Sequence, residues 1–97
     1  MFNSAPYRVY SKFSIVCADY QNNGFVVTPT FHAEYDHTYP DGFHEHHDSY
    51  VEIRVYHKPT DTLITEYITA KDCENVVNYG DFFYPVFLNG IVGRISQ

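Results

Sequence analysis

The chain has 97 residues, of which 44% are hydrophobic and 19% aromatic, a composition that predicts one folded domain over residues 1–97. Six Lys and Arg against twelve Asp and Glu leave a formal charge of −6. That balance disfavours nucleic acid or an anionic bilayer as a direct ligand, because both need a basic face. No apolar run approaches the ~20 residues of a membrane span, and the N-terminus lacks the charged-then-apolar layout of a signal peptide, so we expect a cytoplasmic protein.

The first third of the chain is predicted to form two strands. Between Tyr7 and Cys17 apolar and polar residues alternate, which is typical of a strand with one dry face. Residues 21–24 read Gln-Asn-Asn-Gly, a turn signal, and a second strand is expected over about 25–35. Because Pro29 cannot donate to a strand ladder, we expect this second strand to lie at an edge or to bend there.

The middle of the chain is predicted to contain a loop and then a hairpin. Residues 36–48 form the loop, with Pro-Asp-Gly at 40–42 as its turn. The clearest strand runs over residues 50–57, and its alternation predicts a dry face made of Val51, Ile53 and Val55. After a short turn, a β-branched strand over residues 62–69 is expected to pair with it.

The last third begins with a helix signal. Thr69 is a candidate N-cap with an acidic residue three positions on, which predicts a short helix over about residues 70–78 that ends at Gly80. Residues 82–95 are densely apolar, and strands are favoured there over a helix because three residues oppose a helix, namely Pro85, Gly90 and Gly93. The predicted fold is therefore α+β and β-rich, with a five- to six-stranded antiparallel sheet, or a small barrel or sandwich, and one short helix.

Residues 36–48 hold four of the six histidines and four carboxylates, without a Lys or Arg. His44 and His46 are two positions apart, so on an extended strand both imidazoles would point the same way. Such a pair can contribute two ligands to one zinc, iron or manganese ion. The candidates to complete the site are His32, His37, Asp48 and Glu52. The alternative interpretation is a solvated loop with incidental histidines.

This histidine segment resembles the cupin family. Cupin barrels carry a glycine-containing lead-in, a His-x-His pair and a Glu, followed by a later Gly-Asp and a Pro before a third His. The matching residues here are Gly42, His44-Glu45-His46, Glu52, Gly80-Asp81 and Pro85. The resemblance covers about residues 40–90 and implies a small β-barrel that binds a divalent metal through His44 and His46.

Other catalytic patterns are missing from the sequence. It contains no phosphate-cradling glycine motif and no Gly-x-Ser-x-Gly elbow. Cys17 and Cys73 form no C-x-x-C pair and are expected to be reduced thiols, with a single disulfide as the alternative. Cys17 shares an apolar face with Phe13 and Ile15 in the predicted strand, which favours a buried, inert thiol. We therefore expect a protein that is not an enzyme and needs no cofactor.

Charge is distributed unevenly along the chain. Between Phe13 and Ile53 there is no Lys or Arg, whereas this stretch contains seven carboxylates and several tyrosines. One interpretation is an acidic face that is simply solvated. The more specific functional interpretation is a surface that docks on a basic patch of another protein. The predicted partner-binding residues are Glu34, Asp36, Tyr39, Asp41, Phe43, Glu45, Asp48, Tyr50 and Glu52.

The preferred functional prediction is a small, acidic, non-enzymatic protein-binding module. By analogy of size and charge, it would act as phage-type inhibitors do, by occupying a basic, nucleic-acid-binding surface of a host protein. The first alternative is the metal-binding, cupin-like barrel. The second is a homodimer, in which the edge strand containing Pro29 or a C-terminal hairpin pairs between subunits.

Overall fold

A computed structural model describes residues 4–95 of the chain as three helices and five antiparallel strands. In chain order they are α1 (Ala5–Val16), β1 (Phe25–His32), β2 (Tyr35–Thr38), β3 (His44–His47), β4 (Tyr50–His57), β5 (Thr62–Ile68), α2 (Ala70–Tyr79) and α3 (Phe83–Ile95). The α+β class is confirmed. The single large sheet is not, because the strands form one sheet of three and one of two, and residues 4–95 contain no closed barrel. The barrel architecture implied by the cupin resemblance is therefore wrong.

The three-stranded sheet has the order β1-β4-β5, with both pairs antiparallel. The predicted hairpin of β4 and β5 is confirmed, and so is the edge position of the strand that contains Pro29. Val51, Ile53 and Val55 are fully buried on one face of β4, as their alternation predicts. The helices pack against this face, where Phe13 of α1 and Leu88 of α3 join the same core.

The N-terminal segment is a helix and not the predicted strand. Apart from Pro6, the buried residues of this segment follow one another at intervals of four, about one helical turn, and they are Ala5, Val9, Phe13 and Cys17. Ile15, which the strand prediction placed on the dry face with Phe13, is 70% exposed. Pro6 lies in the first turn of α1, where a missing N–H costs no intrahelical hydrogen bond.

The C-terminal segment is also a helix, so the strands predicted over residues 82–95 are wrong, and with them the C-terminal hairpin as a dimer contact. The buried side chains of α3 are spaced by four, three and four residues, and they are Tyr84, Leu88, Ile91 and Ile95. Pro85 falls in the first turn of α3, and Gly90 and Gly93 lie on its exposed side. All three supposed helix breakers therefore occupy positions that a helix tolerates.

The predicted short helix is confirmed as α2, although it is one of three helices in residues 4–95 and not the single one expected. The Thr69 hydroxyl oxygen accepts a hydrogen bond from the backbone N–H of Asp72, at 3.2 Å. Gly80 ends the helix at a φ of +82°, in the left-handed region that favours glycine.

Both cysteines are free and buried, Cys17 at the end of α1 and Cys73 in α2. Burial raises the pKa of each thiol to about 11, because the low-dielectric core disfavours the thiolate. The expectation of two reduced thiols agrees with this placement. No helix within residues 4–95 has the length and apolar character needed to cross a membrane.

The molecule is elongated, with extents of 49 × 30 × 19 Å and a radius of gyration of 15.5 Å. A compact chain of this length has a radius of gyration of about 13 Å. β2 and β3 pair with each other and form a sheet of their own, separate from the sheet that covers the core. No residue of either strand is buried, so this two-stranded unit stands off the body of the protein.

Candidate functional site

The two-stranded unit contains most of the predicted partner-binding residues. We call residues 34–48 the acidic hairpin. β2 and β3 pair antiparallel, with Tyr35 opposite His47 and Thr38 opposite His44. The prediction of an irregular loop over 36–48 is therefore wrong, because this stretch forms two short strands joined by a tight turn.

The turn of the acidic hairpin lies at 40–42, where the sequence predicts it. The Tyr39 N–H donates to the Phe43 carbonyl at 2.8 Å, and the Gly42 N–H donates to the Tyr39 carbonyl at 2.9 Å. Gly42 has a φ of +90°, which glycine adopts without strain. The Asp41 carboxylate accepts a hydrogen bond from the Phe43 N–H at 3.0 Å and closes the turn.

Strand alternation divides the acidic hairpin into two faces. The carboxylate face consists of Glu34, Asp36, Thr38, His44, His46 and Asp48. The aromatic face consists of Tyr35, His37, Tyr39, Phe43, Glu45 and His47. The cross-strand register and the side-chain contacts within each set define this division.

His46 is the centre of the carboxylate face. Its Nδ1 lies 2.7 Å from an Asp36 carboxylate oxygen, and its Nε2 lies 3.0 Å from Asp48 and 3.5 Å from Glu34. Only the protonated imidazolium can donate from both ring nitrogens at once. The hydrogen bond to Asp36, helped by the charges of all three carboxylates, therefore raises the pKa of His46 above its ordinary value of 6.5.

The metal hypothesis receives little support from this geometry. His44 and His46 share a face of β3, as their spacing predicts, but His44 Nδ1 lies 2.9 Å from the Thr38 hydroxyl. His37 lies on the aromatic face, and His32 stacks on the Tyr50 ring at 4.4 Å. Within residues 4–95, no three His, Cys, Asp or Glu side chains are arranged to hold a zinc, iron or manganese ion.

The aromatic face is held together by ring contacts and by one strong hydrogen bond. The Tyr35 and His47 rings stack at 4.6 Å, and the Tyr39 hydroxyl donates to the Glu45 carboxylate at 2.6 Å. This bond lowers the pKa of Glu45 and raises the pKa of Tyr39, because it favours the carboxylate and the neutral phenol. Phe43 remains 60% exposed at the turn. The face therefore presents apolar rings beside an ionised carboxylate.

The cationic side chains of the protein form their ion pairs outside the acidic hairpin. Lys12 pairs with Asp81 at 3.3 Å, and Arg94 pairs with Glu66 at 2.6 Å. Throughout residues 4–95, no Lys or Arg forms an ion pair with a carboxylate of the acidic hairpin. Within the described part of the chain, the basic groups at ion-pair distance from these carboxylates are His46 and His47, so no permanently charged side chain compensates them.

Tyr50 and Glu52, the last two predicted binding residues, lie on β4 beside the base of the acidic hairpin. The Glu52 side chain is only 18% exposed, and its oxygens lie 3.4 Å from His32 Nε2 and 4.0 Å from Arg54 Nε. Although it is close, His32 Nε2 forms no hydrogen bond. Glu52 therefore lies within ion-pair distance of an arginine, which no carboxylate of the acidic hairpin does within residues 4–95.

Sequence reasoning grouped these residues along the chain but missed their two-faced arrangement. The available signal was Asp41-Gly42, a dipeptide typical of hairpin turns, flanked by residues that alternate in character. Histidine takes the place of an apolar residue on both faces, so the alternation is not one of hydrophobicity.

Comparison of the chain with models of protein families, with curated proteins and with solved structures finds no match. What the acidic hairpin does is therefore inferred from its shape, its charge and its exposed rings.

Proposed function

We propose that this protein is a cytoplasmic, non-enzymatic binding module whose acidic hairpin docks on a basic surface of another protein. The proposal rests on the position and charge of the acidic hairpin. The acidic hairpin stands off the body and carries carboxylates that form no ion pair with a Lys or Arg of residues 4–95. Charged groups that the protein does not itself neutralise are available to a partner of opposite charge.

The electrostatic field of the acidic hairpin supports fast and selective encounter. Asp41 lies at the tip, whereas Asp36 and Asp48 lie toward its base, so negative charge extends along its length. A field of one sign steers an oppositely charged partner and raises the association rate. Carboxylates also accept bidentate hydrogen bonds from arginine, which adds geometric selection to the attraction.

The aromatic face supplies the apolar part of the proposed interface. Tyr35 and Phe43 are both exposed and lie at opposite ends of this face. Aromatic side chains are enriched at the centres of protein interfaces, where they bury a large area with little loss of conformational entropy. We therefore assign the anchoring contacts to Tyr35, Tyr39 and Phe43 and the orienting contacts to the carboxylates.

The partner we propose is a host protein whose basic surface otherwise contacts nucleic-acid phosphates. A strip of carboxylates can satisfy the Lys and Arg side chains that phosphates would otherwise occupy. The protein would then act by competition, in the manner of phage-type inhibitors. Tyr50 and Glu52 adjoin the base of the acidic hairpin and would form the rim of the contact.

The test compares two variants that remove the same number of charges. The hairpin variant carries Asp36→Asn, Asp41→Asn, Glu45→Gln and Asp48→Asn. The control variant carries Asp19→Asn, Asp61→Asn, Asp72→Asn and Asp81→Asn, all at exposed positions outside the acidic hairpin. Wild type and both variants are immobilised, and proteins captured from a host lysate are compared by quantitative mass spectrometry.

We expect wild type and the control variant to capture a partner that the hairpin variant does not capture. Single-stranded DNA should displace this partner from wild type. Circular dichroism serves to check that the hairpin variant keeps the wild-type fold. Equal capture by wild type and the hairpin variant would contradict the proposal, as would equal loss in both variants, since that would indicate an effect of net charge alone.

A further inference from the structure

The two edges of the three-stranded sheet differ in how well they are protected. β1 contains Pro29, which has no N–H to offer a new strand, and α1 and the 3-10 turn Cys17–Asn23 pack against it. β5 contains no Pro, Gly, Lys or Arg, and its one charged residue, Glu66, is paired with Arg94 at 2.6 Å. Native proteins ordinarily protect an edge with prolines, lysines or a covering segment. Within residues 4–95, no further strand pairs with the outer edge of β5.

The side chains of β5 add an apolar component to this open edge. Leu63 and Tyr67 lie on the sheet face opposite the helices, and Tyr67 is 60% exposed. Beside the strand, a groove of about 270 Å³ runs between β5 and the helices α2 and α3. Its aromatic lining includes Tyr67, Tyr79, Phe83 and Phe87. An added strand would therefore gain backbone hydrogen bonds and apolar contacts together.

We propose that β5 pairs with β5 of a second copy of this chain, antiparallel about a two-fold axis at Thr65. This register places Leu63 opposite Tyr67 of the second copy, an aliphatic–aromatic pair of the kind that stabilises sheets. Thr65 then faces Thr65 of the second copy, and the two hydroxyls can hydrogen-bond. The two sheets join into one of six strands, with the helices of both copies on the same side.

Charge favours this register over the one shifted to place the axis at Glu66. An axis at Glu66 would set two glutamates directly opposite each other, which is unfavourable. With the axis at Thr65, Glu66 faces Ile64 of the second copy and keeps its own Arg94. The seven residues of β5 are centred on Thr65, so this register also pairs the whole strand. The dimer contact foreseen at the Pro29 strand is thus assigned to the opposite edge.

No residue of β5 belongs to the acidic hairpin, although the Tyr67 ring contacts the Tyr50 ring beside its base, with centroids 6.0 Å apart. The substitutions at Thr65 and Thr28 leave Tyr67 and every carboxylate of the acidic hairpin unchanged, so failure of this contact and failure of the proposed function are distinguishable. Two strands of seven residues bury less than the roughly 1,200 Å² that stable interfaces need. We therefore expect a weak dimer, with a dissociation constant on the order of micromolar.

The experiment uses a pair of matched substitutions around Arg54. Thr28 of β1 and Thr65 of β5 both lie directly opposite Arg54 of β4, one on each side. Either Thr28→Glu or Thr65→Glu places a carboxylate beside the same arginine within the monomer. Only Thr65→Glu also places two carboxylates opposite each other at the proposed axis. The mass of the full chain is measured by sedimentation equilibrium from low to high micromolar concentration.

We expect wild type and Thr28→Glu to shift toward the dimer mass as concentration rises, and Thr65→Glu to remain monomeric. A wild type that stays monomeric throughout would overturn the proposal, and so would a dimer that persists in Thr65→Glu. Loss of the dimer in both variants would overturn it as well, because the contact would then not be specific to β5.

A second measurement keeps the test decisive if Thr65→Glu does not fold. Thr65→Cys should form an intermolecular disulfide under mild oxidation, since the axis brings residue 65 of both copies together. Thr28→Cys is the control and should remain reduced, and the native cysteines are buried. Equal cross-linking of both variants, or cross-linking of neither, would contradict the proposed register.

Discussion

The two sheets of this protein are stabilised by different means. The three-stranded sheet covers a core in which Val51, Ile53 and Val55 are fully buried beneath three helices. The acidic hairpin has no buried residue in either strand and is held by cross-strand contacts, such as those of His46 with Asp36 and of Tyr39 with Glu45. Burial stabilises the first, whereas exposed polar and aromatic pairs maintain the second.

This difference separates the residues that maintain the fold from those we assign to function. An isolated two-stranded hairpin is only marginally stable in water, so the acidic hairpin can change its sequence or its order with little effect on the body. Conversely, the body can be destabilised without altering the charge that the acidic hairpin presents. Substitutions in the body should therefore change its stability more than comparable substitutions in the acidic hairpin.

Ile53→Ala should have the largest effect on stability. Ile53 is fully buried in β4, and truncating such a side chain leaves a cavity that costs about 2–5 kcal/mol of unfolding free energy. Phe43→Ala, which removes a larger but exposed side chain from the acidic hairpin, should change this free energy by less than about 0.5 kcal/mol. Urea denaturation of both variants checks the contrast, and similar losses in the two would refute it.

Thr69→Ala should have an intermediate effect. The Thr69 hydroxyl caps the N-terminus of α2, and the loss of such a cap costs about 1 kcal/mol. The matched change in the acidic hairpin is Thr38→Ala, which removes the contact between Thr38 and His44. We expect no measurable change in the global unfolding transition for Thr38→Ala. A larger loss from Thr38 than from Thr69 would show that the acidic hairpin unfolds together with the body.

Gly90→Ala should raise stability. Gly90 lies on the exposed side of α3, and a Cβ built there meets no atom within 4 Å. Alanine loses less backbone entropy than glycine on entering a helix, which is worth about 0.5–1 kcal/mol. A higher thermal midpoint is the expected result, and a lower one would indicate that this part of the chain is not helical.

His46 should control the order of the acidic hairpin without affecting the body. Because its pKa is raised in the folded protein, its contacts contribute fully below pH 6.5 and are lost as the pH rises through the raised value. An NMR titration should show a lower pKa for His46 in Asp36→Asn than in wild type, while core methyl resonances remain unchanged. An equal pKa in both proteins would contradict the assigned contact.

Protonation of His46 also places a positive charge among the carboxylates, so partner affinity should fall as the pH is lowered through the raised pKa of His46. This change is expected to be the smallest of the series, because it offsets a single charge. The affinity of His46→Gln should not change with pH in this way. If this variant loses affinity over the same pH range as wild type, His46 is not the source of the change.

The sequence predicts the central hairpin and α2 well, because each carries a strong local signal. Alternation identifies the buried face of β4, and Thr69 with Gly80 marks the ends of α2. The residues of α1 predict a strand instead of a helix for a physical reason. In α1 the buried positions other than Pro6 repeat every four residues, so they share one parity and imitate the alternation of a strand.

The candidate site is predicted only as a set of residues. The carboxylates and tyrosines of 34–48 are plain in the sequence, but their division into two faces depends on the register of β2 and β3. That register is fixed by the tight turn at Asp41-Gly42 and not by a buried apolar face. It therefore cannot be predicted from hydrophobic periodicity.

The central claim is tested most directly by the dissociation constant of the captured partner for wild type, the hairpin variant and the control variant, measured in the same buffer. We expect the hairpin variant to bind more weakly than wild type by roughly tenfold or more, while the control variant stays close to wild type. Equal dissociation constants for the hairpin variant and wild type would show that the acidic hairpin is not the binding surface.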